Sequence, residues 1–414
     1  MNSFAYRNDE LHAEGVPLER IAAAHGTPCF VYSRAMIEAA YRAYDQALAR
    51  RDHLICYAVK ANSSLAVLNV LARLGSGFDI VSGGELERVT RAGGDPGKIV
   101  FSGVGKSEAE MRAALAAGIC CFNVESESEL QRLDRIAGEL GRQAPVSLRI
   151  NPDVDAGTHP YISTGLKDSK FGIAFEDALP LYRSASRMRN LRITGVDCHI
   201  GAQITEVAPF VAALQKLIEL VDRLSDERIG IAHIDIGGGL GIRYRDETPP
   251  AVADYVRAIT ACLGDRKLRI LIEPGRSVVG NAGILLARVE YLKHGAQRNF
   301  AIVDAAMNDL IRPALYDAWH DVQPVRPRRT PARHYEVVGP VCESGDFIAH
   351  DRDLSLAEGD LVAIMSAGAY GMSMSSNYNS RMRAAEVMVN GTDMQLIRER
   401  ESIAQSMINE RLLP

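Results

Sequence analysis

Lysine is scarce in this chain of 414 residues. Of 47 basic residues only eight are lysine, at positions 60, 98, 106, 167, 170, 216, 267 and 293. Arginine carries the generic surface charge, so a lysine placed where no surface charge is expected is worth attention. Positive charge is short overall: Asp and Glu number 52, for a net charge of −5. That excludes the clustered basic surface which nucleic acid or an anionic membrane requires. The longest apolar run, about Ala113–Phe122, falls far short of the roughly 20 residues that cross a bilayer. The start of the chain, MNSFAYRNDELHAEG, mixes charges of both signs around no apolar core, so no signal peptide is expected. The seven cysteines include no CxxC pair, and neither a disulfide scaffold nor a zinc site is indicated. Low-complexity runs and solenoid-type repeats are missing as well. A hydrophobic fraction of 47% and a charged fraction of 24% are ordinary for a globular protein. The expectation is a cytoplasmic, thiol-reduced protein with no membrane and no nucleic-acid partner.

What the chain does have is alternation. Short β-branched runs at Leu54–Val59, Phe78–Val81, Ile99–Ser102, Cys120–Val124, Val146–Ile150, Ile193–His199, His233–Ile236 and Arg269–Ile272 read as strands. Helical patterns lie between most of them, such as Ala66–Leu74, Glu108–Ala117, Ser128–Leu140, Phe210–Leu224 and Ala251–Leu263. Strand and helix in alternation imply parallel pairing through right-handed crossovers. Eight strands in this length favour a closed (β/α)8 barrel; an open doubly wound sheet is the competing architecture. After residue 281 the texture becomes strands separated by Gly, Pro, Asp and Asn turns: Ala287–Leu292, Phe300–Val303, Tyr335–Val338, Leu361–Met365 and Glu386–Val389. A final helix is expected over about Met394–Leu412, and Pro324–Pro331 reads as an exposed loop. The expected division is an N-terminal segment 1–28 joining the β domain, a barrel over 29–280, and a mainly β domain over 281–414.

Function in such a barrel sits where the strands end. Those ends supply Lys60, Asp79, Gly103–Gly105, Glu125, Asn151, His199, Gly237–Gly241 and Glu273–Arg276. Lys60 follows an apolar strand directly. A solvated lysine is the ordinary reading; a desolvated one has a lowered pKa and a neutral amine fit for a Schiff base. The stretch GGGLG at 237–241 lets backbone N–H groups approach an anion, although it lacks the GxGxxG spacing of a dinucleotide site. Glu273-Pro274-Gly275-Arg276 adds a carboxylate and a bidentate anion donor. His199 is either a neutral core histidine or a ring that stacks on a flat cofactor. No partner stands at zinc-like spacing from it, so no metal is expected. Further on, Arg312 and Tyr316 occur in LIRPALYDAW and Tyr370 in SAGAYGMSMSSNYNSR. Cys342 and Glu343 lie between glycines in VVGPVCESGD, a poor place for an apolar filler and a plausible one for a proton donor.

AVKAN, GFDIVSGGEL, CHIGAQ, DIGGGLG, EPGR, RPALY, GPVCESGD and GAYGMSMSSNYNSR follow one another in the order of the fold-type III pyridoxal-phosphate decarboxylases. The chain resembles that family from about residue 25 to 390. Its segment NPDVDAGTHPYISTGLKDSKFGI, at 151–173, and the RPALY–CESGD–SSNYNSR combination resemble the diaminopimelate decarboxylases within it. The resemblance implies an alanine-racemase-like barrel plus β domain with pyridoxal 5'-phosphate attached to Lys60. It implies Asp79 beside the cofactor, His199 stacked on its ring and Glu273 on the ring nitrogen. Gly239, Pro274, Gly275, Arg276 and Tyr370 would hold the phosphate. Arg276, Arg312 and Tyr316 would grip the substrate's distal carboxylate and Glu343 its distal ammonium, with Tyr370 also touching the substrate. Cys342 would reprotonate the α-carbon, with Cys342 and Glu343 supplied across a homodimer interface. The implied reaction removes CO2 from the D-centre of meso-2,6-diaminopimelate to give L-lysine, the last step of lysine biosynthesis.

One departure is visible. Ala202 stands where the family usually has serine, which removes a hydroxyl donor to the phosphate; Gln203 is retained. Three alternatives remain: a same-fold decarboxylase of another diamino acid or a carboxylated polyamine, a racemase of the same cofactor fold, and a non-catalytic cofactor-binding homologue. Arg312 with Glu343 weighs against ornithine, which has no distal carboxylate. Cys342 in place of a tyrosine acid–base weighs against a racemase, and Lys60 with Cys342 against the third.

Overall fold

The computed structural model describes residues 3–155 and 170–414. Most of the 151–173 motif, with Lys167, lies outside the described residues. The chain divides into two compact units, Ala40–Ile242 with Thr248–Ser277, and Met1–Ala39 with Arg243–Glu247 and Val278–Pro414.

The first unit is a barrel. Strands His53–Ala58, Gly77–Ile80, Ile99–Phe101, Cys121–Val124, Ala144–Asn151, Leu191–Asp197, His233–Asp235 and Arg269–Ile272 pair in parallel, each with the next. The ring closes where Arg269–Ile272 returns to His53–Ala58, with Ile270 opposite His53. Closure excludes the open sheet, and all eight strands stand within about two residues of their expected places. The strands are buried nearly throughout, as parallel strands covered on both faces must be.

Three successive strand-to-helix turns use one device. Ser82, Ser107 and Ser126 cap helices Gly83–Arg91, Glu108–Ala117 and Glu127–Glu139 by accepting from the N–H of Glu85, Glu110 and Glu129. Each glutamate reaches back to the preceding turn, Glu85 to Val81 N at 2.7 Å, Glu110 to Ser107 N at 2.9 Å and Glu129 to Glu125 N at 2.9 Å. This S-x-x-E pattern satisfies two orphan donors at each helix start and fixes the loops at the end of the barrel where function sits.

The second unit is mainly β. Its central strand, Gly283–His294, pairs antiparallel with Asn299–Val303, Leu361–Ile364 and Cys29–Ser33; the last pairs in parallel with Ala385–Asn390. Its core includes Leu11, Val16, Leu18, Ile21, Val31, Ile284, Leu286, Val387 and Val389. A Cβ on Gly283 would stand 2.6 Å from Gly368 Cα and 2.7 Å from the Tyr32 ring, so only glycine fits there.

Two expectations need correction. The barrel unit begins at Ala40 rather than residue 29, because Cys29–Ser33 is a strand of the β sheet whose partners lie some 250 and 350 positions later. No helix spans Met394–Leu412. Asp393–Arg398 is a strand that returns on Ala385–Asn390, with Asn390 opposite Asp393 across a turn at Gly391 (φ +64°), and only Ile403–Ser406 is helical. Asn-Gly between two strands is a hairpin signal that the helical pattern obscured. Of the Pro324–Pro331 loop, Val325 is buried, while Arg326 pairs with Glu10 and Glu19 and Arg328 with Asp360. Among the described residues no helix is long and apolar enough to cross a membrane.

Candidate active site

The barrel's interior is crowded with acid. Asp79, Asp197, Asp235 and Glu273 are all buried, and the last three bring carboxylate oxygens within 4.8 Å of one another. Lys60 lies in a short turn, Val59–Ala61, just past its strand, and its Nζ stands 2.9 Å from Asp79 Oδ2. Arg149 pairs with Glu125 at 3.1 Å. Burial pushes the Glu273 carboxyl well above the usual range, and the charges of Asp79, Asp235 and Asp197 push it further, against Lys60. Asp235 is raised to about 7, by burial first. Burial, then Lys60 and Arg149, hold His199 well below an ordinary imidazole, so its ring is neutral. Its Nδ1 accepts from the Gly238 N–H at 3.1 Å, which places the ring proton on Nε2.

The glycine stretch is a cradle that no side chain can enter. Gly237 (φ +68°) and Gly239 (φ +111°) hold left-handed backbone. A Cβ on Gly238 would lie 2.1 Å from the Glu273 carbonyl oxygen, and one on Gly239 2.4 Å from that of Gly201. Gln203 clamps the rim at both ends of its amide, giving to Ile242 O at 2.6 Å and accepting from Ile242 N at 3.1 Å. Pro274 accepts from Ala58 N at 3.1 Å, and a Cβ on Gly275 would crowd Ala61 at 3.0 Å, so the EPGR turn sits tight on the base of the Lys60 turn. Arg276 is buried.

These features fit a phosphorylated, nitrogen-containing aldehyde ring. Lys60 supplies an amine, the glycines a backbone cradle for phosphate, and Glu273 a carboxylate for a protonated ring nitrogen. Among the described residues Asp79 Oδ1, Asp197 Oδ1 and Asp235 Oδ2 are buried with no hydrogen-bond partner, so added positive charge among them is favourable.

The β unit holds the remaining expected residues. Arg312 is buried and opens the short helix Arg312–Tyr316, with Tyr316 at its end. Cys342 and Glu343 are exposed on a turn that Asp346 pins by accepting from Val341 N at 2.8 Å and Met307 N at 2.6 Å. The Cys342 N–H donates to Asn379 Oδ1 at 2.8 Å, and the Tyr378 hydroxyl donates to Glu343 Oε1. Tyr370 holds left-handed backbone at φ +57°.

Comparison with known proteins decides what this arrangement belongs to. Residues 34–280 match the family described as pyridoxal-dependent decarboxylase, pyridoxal binding domain. Across 414 residues, the whole of both chains, the sequence is 64% identical to the diaminopimelate decarboxylase of Pseudomonas aeruginosa. The chain belongs to the diaminopimelate decarboxylase family. Two solved relatives share its fold. The Helicobacter pylori diaminopimelate decarboxylase, complexed with L-lysine, is 42% identical with a TM-score of 0.92 over 95% of this chain and 99% of that one. The M. jannaschii enzyme, in co-complex with L-lysine, is 37% identical with a TM-score of 0.96 over 100% and 98%. Membership brings pyridoxal phosphate as cofactor and decarboxylation as chemistry.

Several residues that the structure brings to this site escaped the sequence reading. Ser102 Oγ and Asn123 Nδ2 donate to Glu273 Oε1 at 3.4 and 3.3 Å. Their signal was a polar residue at or near a strand end, the same that pointed to Glu125. Arg149 hid within an apolar strand. Lys106 is the second scarce lysine with a task, a structural one: it is buried and donates to Gly103 O, Asn123 O and Glu129 Oε1 at 2.7–2.8 Å, tying three mouth loops together.

Proposed function

We propose that this chain removes CO2 from the D-centre of meso-2,6-diaminopimelate to give L-lysine, with Lys60, Glu273 and Cys342 as the residues closest to the chemistry. The full-length identity of 64% to a diaminopimelate decarboxylase carries the substrate assignment. Bound pyridoxal phosphate supplies an electron sink for the pair left on the α-carbon when CO2 departs. Lys60 holds the cofactor through Nζ, and Asp79, 2.9 Å away, steadies that nitrogen. Glu273 keeps a proton on the ring nitrogen. Ser102 and Asn123 occupy its Oε1, which leaves Oε2 for that task. Neutral His199 packs on the ring without adding charge. The N–H groups around Gly237–Gly241 and at Gly275–Arg276, with Tyr370, take the phosphate.

Arg276, Arg312 and Tyr316 take the distal carboxylate and Glu343 the distal ammonium. Leaving either charge unpaired in a closed site is costly, so a diamine without the distal carboxylate binds more weakly than one that carries it. Cys342 Sγ returns a proton to the α-carbon. Its exposure, and that of Glu343, supports a homodimer in which each subunit completes its partner's site. The seven unbridged thiols support a reducing, cytoplasmic setting.

Purified protein with pyridoxal phosphate should be given meso-diaminopimelate, L-ornithine, L-arginine and carboxynorspermidine separately, with CO2 and the product amine followed by mass spectrometry. Lysine from meso-diaminopimelate alone is the expected result. Turnover of another substrate instead would remove the roles given to Arg312 and Glu343.

A further inference from the structure

We propose that His320 is the positioning residue that fixes Arg312 for the substrate's distal carboxylate; this rests on the reading of Arg312 given above. His320 is wholly buried in the β unit. Its Nδ1 lies 2.8 Å from the Met365 carbonyl oxygen and its Nε2 2.8 Å from Arg312 NH1. A carbonyl can only accept and a guanidinium can only donate, so the proton is on Nδ1 and the Nε2 lone pair receives Arg312. The imidazole is therefore locked as a neutral acceptor. Tyr244 completes the seat: Arg312 Cζ lies 4.7 Å from its ring centroid, and the ring stands edge-on to His320 at 5.4 Å. The main chain of His320 is itself held, since Arg352 NH2 donates to His320 O at 2.7 Å while its guanidinium covers Trp319 at 4.5 Å.

An arginine side chain has many rotamers and a planar fork whose value depends on its orientation. Fixing one nitrogen and one face in advance removes ordering that carboxylate binding would otherwise require. The task is orientation, so the effect belongs to ligands that carry the distal carboxylate and to no others.

The test is inhibition of the holoenzyme by two ligands that differ in that group, L-lysine and 1,5-diaminopentane. His320→Phe keeps the ring volume and deletes the acceptor. The inhibition constant for L-lysine and the KM for meso-diaminopimelate should rise together, roughly tenfold to a hundredfold, with kcat within about threefold. The constant for 1,5-diaminopentane should not move, and cofactor absorbance and Trp319 emission should match wild type. His320→Gln, which offers an amide oxygen in place of Nε2, should recover most of the loss. Should the buried phenylalanine prevent folding, Tyr244→Leu, at a partly exposed ring, should raise the L-lysine constant several-fold by the same selectivity. Equal weakening of both ligands, or no weakening in a folded His320→Phe protein, overturns the proposal. Arg312→Ala is the control: if it leaves L-lysine inhibition unchanged, the underlying reading of Arg312 fails, whatever His320 does.

Discussion

The two units store their chemistry in opposite ways. In the barrel, Asp79, Asp197, Asp235 and Glu273 are buried together, and burial, with the charge of neighbouring carboxylates, raises the pKa of Asp197, Asp235 and Glu273. In the β unit, Cys342 and Glu343 stand exposed on a turn held by hydrogen bonds to Asp346 within it and to Asn379 and Tyr378 of a neighbouring loop. The barrel is preorganised and strained by like charge, as sites that stabilise developing charge tend to be. The β unit leaves a thiol and a carboxylate open to solvent. Arg312 is the exception there, buried on His320 and Tyr244.

The sharpest way to break this contrast is Glu273→Gln. The amide oxygen can still accept from Ser102 and Asn123, so the NH2 falls where Oε2 was and cannot hold a proton on the ring nitrogen. We expect kcat to fall roughly a hundredfold to a thousandfold. Removing one of three crowded carboxylates should at the same time raise the thermal midpoint of the cofactor-free protein, a stability gain coupled to lost function. Calorimetry and steady-state kinetics read the two signs. A variant that lost activity and stability together would show that the acid crowding is not what strains the barrel.

Next in size is a histidine pair, one in each unit. His233 fills the space left by Gly195, where a Cβ would lie 2.0 Å from its Nε2, and burial first, then Arg269, lowers its pKa to about 4. The folded state keeps it neutral while the unfolded state takes a proton below about 6.5, so its contribution is present above that pH. It is lost as pH falls through about 4, by about 3 kcal/mol. His334 in the β unit is exposed and raised by hydrogen bonds to Asp351 and Asp353, so its contribution has the opposite sign, fading as pH rises, and is screened by water and salt. Denaturant titrations from pH 7 to about 4 should show the acid-side slope reduced in His233→Gln and unchanged in His334→Gln. An unchanged slope in the first would mean that His233 is solvated in the folded protein.

The same contrast explains what could be read in advance. The eight barrel strands and the mouth residues Lys60, Asp79, His199, Glu273 and Arg276 were legible because each lies next to the local element that positions it. Cys29–Ser33 was misassigned because its partners, Gly283–Leu286 and Ala385–Val389, are far off in sequence, and nothing in CFVYS names them. The hairpin at Gly391 was legible in principle and was hidden by a helical pattern. His320 carries no local signal; only the fold brings it to Arg312.

Ala202 gives the smallest effect and tests whether the cradle depends on side chains at all. Its neighbours Gly201 and Gln203 are already fixed, the one against Gly239 and the other on Ile242. The backbone cradle therefore stands without a hydroxyl at 202. Ala202→Ser adds one neutral donor to an anion, worth about 1 kcal/mol, so cofactor affinity should tighten about fivefold with kcat unchanged. Equilibrium titration of the cofactor-free protein with pyridoxal phosphate measures it directly. Tightening locates the phosphate beside residue 202, within reach of the glycine loop. No change would mean that backbone N–H groups already satisfy the phosphate and that the missing serine costs this chain nothing.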